Sequence, residues 1–298
     1  MGHISKKNII VVGLGEILWD VLPDGKQLGG APANFAYFVN TFGFQGIPVS
    51  RVGDDAAGRE ILTQLSQKGI NTDYIAMDQN HPTGTVTIAL DDKGKPDYII
   101  HEHVAWDYLE MTDKLFQLAS SADVVCYGVL SGRFPESAKT IERFLNATGE
   151  SCLKVFDINI RKEYYAAERI HKLLQFANVF KLNDEELPLM ADLFKINGSE
   201  TDILRYLSNT YHLDLIILTK GEHGGRLFTP IEDSIFKGEK ISRIVDTVGA
   251  GDSFTATVIA GLLAQKSLSA ISTHANRVAA YVCTQKGAMP ALPPELIL

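Results

Sequence analysis

Cysteine is scarce: 3 in 298 residues, at Cys126, Cys152 and Cys283, with no CxxC pair among them. Three widely spaced thiols exclude a disulfide-stapled scaffold and a zinc-ribbon pattern, and they suit a reducing compartment. Basic residues are also in deficit, 28 Lys and Arg against 36 Asp and Glu, for a formal charge of −8. Gripping nucleic acid by its phosphates needs a basic surface, so that class of function is excluded. The most apolar run, Val258–Ala264, falls far short of the about 20 residues that span a bilayer. No secretory h-region precedes the strand-like Ile9–Val12, so a cytoplasmic location is expected and no membrane partner. The sequons at Asn146 and Asn197 are then incidental.

Several nucleotide and metal signatures are missing too. No Gly-Lys-Ser/Thr occurs, so a Walker phosphate loop is excluded; neither Gly25-Lys26-Gln27 nor Gly94-Lys95-Pro96 qualifies. Val11-Val12-Gly13-Leu14-Gly15 opens like a dinucleotide loop, but Leu18 stands where a third small residue is needed. His101 and His103 lie one residue apart in a strand-like stretch and no HExxH helix exists, which argues against a zinc hydrolase.

With 45% hydrophobic and 21% charged residues the chain is an ordinary globular one. Short apolar runs alternate with longer segments of helical period. Strands are expected at 8–13, 46–52, 123–129, 153–158, 178–182, 213–219 and 241–245. Helices are expected at 32–42, 56–68, 135–147, 162–177, 184–193, 200–209, 251–265 and 268–285. Runs buried on both faces, alternating with helices, predict an α/β fold: a mostly parallel central sheet with helices on both faces. One region breaks the rhythm. Thr83–Leu90 and Pro96–His103 read as a hairpin turning near Gly94, and Ile17–Leu28 is extended. Together, residues of about 17–29 and 83–105 form either a small β lid over a site or an edge hairpin of the main sheet. No repeat or linker divides the chain, so 1–298 reads as one domain. The tail Pro290–Pro294 is expected on the surface.

The sharpest feature is Asp246-Thr247-Val248-Gly249-Ala250-Gly251-Asp252-Ser253-Phe254, just before an apolar helix. Small residues let backbone N–H groups approach a ligand, and at a helix start those amides form an anion hole. A carboxylate beside such a hole repels an anion. It makes sense as the base that takes a proton from a hydroxyl attacking that anion. Helix capping would also use Asp and Ser, but it does not require Gly-Ala-Gly before them. A second cluster, Gly29-Gly30-Ala31-Pro32-Ala33-Asn34 with Asp20 upstream, offers close backbone approach and polar groups for several hydroxyls.

The motif D-T-x-G-A-G-D resembles the C-terminal signature of the ribokinase-like, or PfkB, family of carbohydrate kinases. The resemblance implies Asp252 as catalytic base, with Gly249, Ala250 and Gly251 stabilising charge on the transferred phosphoryl group. It implies sugar binding by Asp20, Gly29, Gly30 and Asn34. Arg161, in Asp157-Ile-Asn-Ile-Arg161, looks like a segment of fructokinase-like members and reaches for substrate, unless it forms a surface ion pair. Asn183-Asp184-Glu185-Glu186 is similar to the family's N-x-x-E motif; Asn183 then serves the nucleotide and Glu186 the Mg²⁺, through water. Thr219, Lys220, Gly221 and Gly224 would line the nucleotide, and Asn276 would touch the adenine. Asp246 and the carbonyl of Val248, with the 283–288 segment, would form a K⁺ site. Trp106 either packs on the sugar or is buried structure.

The implied cofactors are ATP and Mg²⁺, with K⁺ as an activator, and the implied partner is a small sugar. Family lids also join protomers, which implies a homodimer. The run Gly15–Pro23 followed by Gly29–Ala36 is most similar to bacterial fructokinases. The expected reaction is phosphorylation of fructose to fructose 6-phosphate. Ribose, 2-keto-3-deoxygluconate and nucleosides stay open as substrates, as does a silent sugar-binding protein of the same fold. Lys220 and Arg161 are expected to supply the local positive field that a net charge of −8 does not.

Overall fold

The computed structural model describes residues 8–23, 25–90 and 96–297. The turn expected near Gly94 lies outside the described residues. Nine strands form one sheet: β1 (Ile10–Leu14), β4 (Gln45–Gly53), β5 (Ile75–Asp78), β8 (Val124–Tyr127), β9 (Leu153–Asp157), β10 (Val179–Asn183), β11 (Leu215–Thr219), β12 (Gly225–Phe228) and β13 (Asp233–Phe236). Their order is β13-β12-β11-β10-β9-β8-β1-β4-β5. Every pair from β5 to β11 is parallel, and β12 and β13 add an antiparallel edge.

Strand residues alternate between two cores. Val11, Val124, Val155 and Val179 join the core under α1 (Ala31–Thr41), α8 (Ala250–Leu263) and α9 (Leu268–Cys283). Val12, Val125, Phe156 and Phe180 face the opposite core. That core also takes Leu118 of α3 (Asp113–Ser121), Phe144 of α4 (Pro135–Ala147), Leu173 of α5 (Ala167–Leu174), Met190 of α6 (Glu186–Phe194) and Leu204 of α7 (Glu200–Tyr211). The continuous apolar runs are thus strands covered on both faces, as parallel sheets require. The remaining helix, α2 (Ala56–Gln67), starts at Asp55, whose side chain caps the Gly58 N–H.

The irregular region forms a separate four-stranded sheet of β2 (Leu18–Leu22), β3 (Gly25–Gly29), β6 (Gly84–Leu90) and β7 (Pro96–Ile100), in the order β3-β2-β6-β7. It is not an edge hairpin of the main sheet. Its register aligns Asp20, Val86 and Ile100 on one face and Val21, Thr87 and Ile99 on the other. Trp19, 1% exposed, ties this sheet to α2, with its indole N–H donating to the Ala57 carbonyl.

Two expectations about elements need correction. Residues 241–245 form no strand: Ile244 and Val245 are exposed, and the Val245 and Asp246 amides donate instead to the Cys283 carbonyl. The helix expected at 162–177 spans only Ala167–Leu174; Asn159 and Lys162 have positive φ, so an irregular loop follows β9. The C-terminal tail runs along the surface and is anchored there. Leu292 and Leu296 are buried against α9, and His274 bonds the Leu296 carbonyl. Of the two readings of Trp106, the structure favours the buried one: it is fully buried. Strands β5, β12 and β13 and helix α3 were not anticipated, because their short or polar segments carry little periodic signal.

Candidate active site

Strand order reverses between β1 and β8, since β4 and β5 continue on one side and β9 to β13 on the other. Beyond the carboxyl ends of such strands is where an open α/β sheet leaves a crevice. A cleft of about 770 Å³ lies there. Its floor takes Glu16 after β1, Asn159 and Arg161 after β9, Asn183 at the end of β10 and Thr219 at the end of β11. Its roof is the small sheet, with Leu18, Asp20, Val86, Tyr98 and Ile100 facing in. Its far wall is the Asp246–Gly249 loop and the first turn of α8.

The start of α8 is shaped by Gly249. Its φ of +78° is left-handed, and a Cβ there would stand 2.3 Å from the Ala288 carbonyl oxygen. Among the described residues the amides of Gly251 and Asp252 have no acceptor within the chain, as a helix start dictates. The Ala250 amide donates to Thr247 O at 3.3 Å. Asp252 stands in that first turn with its Oδ2 accepting from Asn34 Nδ2 at 2.7 Å. Burial pushes its carboxyl up to about 6; the Asp157 charge adds to this, while Asn34, Lys181 and Arg161 oppose it.

Asn34 comes from α1, whose start is shaped by Gly30. That residue has φ +114°, and a Cβ on it would meet the Glu16 carbonyl oxygen at 2.4 Å. Gly29 is crowded by a side chain instead: a Cβ there would lie 2.4 Å from Asp20 Oδ2. Asp20 is likewise raised to about 6, by burial first, with Arg161 opposing and Asp246 adding. The structure therefore brings Asp20, Gly30, Asn34, Arg161, Asn183, Thr219, Asp246, Val248, Gly249, Gly251 and Asp252 to one cleft. The Arg161 guanidinium is exposed and donates to its neighbour's carbonyl, Ile160 O at 3.0 Å.

Other expected residues have different surroundings. Both carboxylate oxygens of Glu186 accept backbone amides, Oε1 from Ile160 and Oε2 from Asn183, each at 2.8 Å. Glu186 thereby pins the loop after β9 to the start of α6, and burial raises its pKa against the pull of Lys181. Lys220 turns its ammonium to Glu200 at 2.5 Å. Gly224, with φ +92°, packs its Cα against the Phe236 carbonyl at the β11–β12 turn. Gly221 sits in the same turn, in the left-handed region at φ +50°. Asn276 donates to Lys237 O at 2.8 Å. Asp246 joins two segments, Oδ1 accepting from the Val248 amide at 3.0 Å and Oδ2 from the Gly287 amide at 3.1 Å.

The cation that approaches the helix start is Lys181, which belongs to none of the sequence motifs. It pairs with Asp157 at 3.0 Å across the β9–β10 register, and its ammonium lies 3.6 Å from where a Cβ on Gly251 would stand. Burial works against its charge, but Asp157, Glu186 and Asp252 overcome this and raise its pKa. A lysine inside the apolar run Val179–Leu182 was the available signal, since a central strand rarely carries an unpaired charge. Glu16 was missed as well. It is 4% exposed, accepts from Ser131 Oγ at 2.7 Å, and has its pKa raised by burial.

Chemically, the cleft combines free helix-start amides and a buried lysine with a carboxylate beside them. Opposite lie polar groups suited to hydroxyls. That is an arrangement for moving an anionic group onto an alcohol.

Comparison with known proteins agrees. Residues 22–295 match the family described as pfkB family carbohydrate kinase. A fructokinase of Escherichia coli is 30% identical over 297 residues, covering 94% of this chain and 95% of that one. The fold matches a fructokinase of Xylella fastidiosa with bound ATP (TM-score 0.82, 23% identity, 97% and 96% of the two chains). It matches equally a Vibrio cholerae fructokinase bound to fructose, ADP and calcium ion (TM-score 0.80, 24% identity, 97% and 96%). By its sequence, its sheet and the residues gathered at its strand ends, the chain belongs to the pfkB family of carbohydrate kinases, phosphotransferases with an alcohol group as acceptor.

Proposed function

We propose that this sugar kinase transfers the γ-phosphoryl group of ATP to fructose, at the hydroxyl that gives fructose 6-phosphate. The observation that carries the reading is the Asp252 carboxylate beside the free amides of Gly251 and Asp252, hydrogen-bonded at 2.7 Å to Asn34. The sugar lies between the polar groups of Asp20, Gly30 and Asn34 and the apolar roof. Arg161 holds one of its hydroxyls. Asp252 accepts the proton of the attacking hydroxyl, and the Gly249–Gly251 backbone with Lys181 faces the charge that spreads over the phosphoryl oxygens.

Mg²⁺ arrives as part of the nucleotide substrate. Among the described residues no group of three or more His, Cys, Asp or Glu could hold an ion, and Mg²⁺ readily stays on phosphates and water. Asn183 and, through water, Glu186 face that complex. Thr219, Gly221, Gly224 and Asn276, with the backbone of Lys220, line the nucleotide, while the Lys220 ammonium stays on Glu200. A K⁺ ion would take the Asp246 carboxylate, whose two oxygens each accept only one amide, with the Val248 carbonyl.

The 1–298 chain acts as one domain with the four-stranded sheet as its lid. The outer row of that sheet exposes Val21 (38%) and Ile99 (40%), which supports a homodimer through the lid. An Ile99→Lys variant is then expected to be monomeric by light scattering where the unaltered chain is a dimer; equal masses for the two would refute the lid contact.

The substrate is tested by coupled assay of fructose, ribose, 2-keto-3-deoxygluconate and a nucleoside, with and without K⁺. Fructose is expected to give the highest kcat/KM, and K⁺ to raise it. Equal rates across the panel would remove the case for fructose. Because Asp252 and Asp20 both stand at about 6, and the base acts ionised, kcat/KM is expected to fall as pH drops through about 6.

A further inference from the structure

We propose that Asn34 is a positioning residue for the base: its amide, Nδ2 to Oδ2 at 2.7 Å, fixes the Asp252 carboxylate so that Oδ1 is the oxygen left to meet the sugar hydroxyl. This rests on the reading of Asp252 as base, and it assigns Asn34 a task beyond facing the sugar.

The neighbours of Asp252 leave this task to one residue. On its own helix, Thr255 Oγ1 donates to the Gly251 carbonyl at 3.0 Å and to Asp157 at 3.5 Å. From β9, Asp157 repels it and is itself held by Lys181 of β10. The loop after β9 presents Arg161, whose hydrogen bond goes to Ile160 O at 3.0 Å. After β1, Glu16 takes its donor from Ser131. From β8, the buried Cys126 thiol feels the Asp252 charge, which helps raise its pKa. Among the described residues, Asn34 alone donates a hydrogen bond to the base.

Asn34 is also rigid enough for the work. It is 2% exposed, and its backbone amide donates to Gly30 O at 3.1 Å in the first turn of α1. The helical hydrogen bond fixes the backbone that carries the side chain, and burial confines the amide beside Asp252. Its Oδ1 is buried and has no hydrogen-bond partner, so removing the side chain orphans nothing except Asp252, and variants are expected to fold. A bond of this kind favours the ionised carboxylate and holds it before the sugar arrives, which is preorganisation.

The test compares Asn34→Ser and Asn34→Ala with the unaltered enzyme, assaying fructose phosphorylation from pH 5 to 9. Both variants are expected to move the acid limb of kcat/KM upward by roughly one pH unit. Turnover should fall about fivefold near pH 6, where the base is no longer held ionised, and recover in part above pH 8. The KM for ATP should stay unchanged. An Asn34 that only binds sugar would instead raise the KM for fructose and leave the limb and kcat in place; that result would overturn the proposal. Misfolding is excluded by matching far-UV circular dichroism, and the two variants check each other. If the unaltered enzyme transfers no phosphate to any sugar, the reading of the site fails. If it does so and the limb stays put, the role of Asn34 fails alone.

Discussion

In the Asp252→Asn variant, sugar-dependent ATP turnover falls by at least about 10²–10⁴-fold, the usual cost of losing a general base. The same variant unfolds at a higher temperature at pH 7.5. Both effects have one cause. Burial and the nearby Asp157 make the ionised carboxylate unfavourable, lifting it from 3.8 to about 6. An acid whose pKa is raised by folding binds more protons in the native state between those two values. Stability therefore declines as pH rises from about 4 to 6, and above that window the buried charge costs at most about 3 kcal/mol. Asparagine keeps the shape and an acceptor for Asn34 while removing the charge. The gain in unfolding temperature should thus be several degrees at pH 7.5 and shrink below pH 4. Calorimetry across pH 3.5–8 checks this. A gain that is the same at every pH would place its cause elsewhere.

Replacing Lys181 with methionine is expected to be the most damaging single change to the floor of the cleft. Lys181 and Asp157 are both nearly inaccessible, at 6% and 5% exposure. Removing the lysine leaves a buried carboxylate without its cation, and breaking such a pair typically costs about 3–5 kcal/mol. It also removes the ammonium that lies next to Gly251, so phosphoryl transfer should slow at least about 100-fold, in the range lost with one oxyanion-hole donor. The Asp157→Asn, Lys181→Met double variant separates the two consequences. Most of the stability should return, because no uncompensated charge stays buried. Turnover should not return, because the cation is still missing. Denaturant unfolding and steady-state assay of the two variants beside the unaltered chain decide it. Recovery of activity along with stability would mean that Lys181 serves the fold alone.

Much of the site was readable because its chemistry is concentrated in two short stretches. Gly249–Asp252 needs a positive φ, free amides and a carboxylate within four consecutive residues, and few sequences other than Gly-Ala-Gly-Asp satisfy all three. Gly29, Gly30 and Asn34 follow similar logic at the start of α1. The parallel sheet was legible because its strands are apolar on both faces. What stayed hidden depends on pairing across the sheet. Lys181 and Asp157 lie 24 positions apart and meet only through the β9–β10 register. Glu186 is legible as part of the Asn183–Glu186 motif, but that its two oxygens accept amides of separate segments is not. Lys220 follows a strand end and reads as a phosphate cation, but Glu200 captures it. The strand expected at 241–245 was inferred from apolar residues that the fold leaves exposed. No local pattern reports such partners.

The net charge of −8 is no obstacle to a phosphate site. The positive field is local: helix-start amides, one buried lysine and Arg161 at the rim of the cleft.

The most direct measurement follows the γ-phosphate itself. ATP labelled at the γ-position is mixed with excess enzyme and fructose for a single turnover, and the products are separated. The label is expected on the sugar, with little inorganic phosphate, at a rate that drops as pH falls through about 6 and is lost in Asp252→Asn. Label released as inorganic phosphate irrespective of sugar, or transfer to fructose that persists unslowed in that variant, would contradict Asp252 as the base of a sugar kinase.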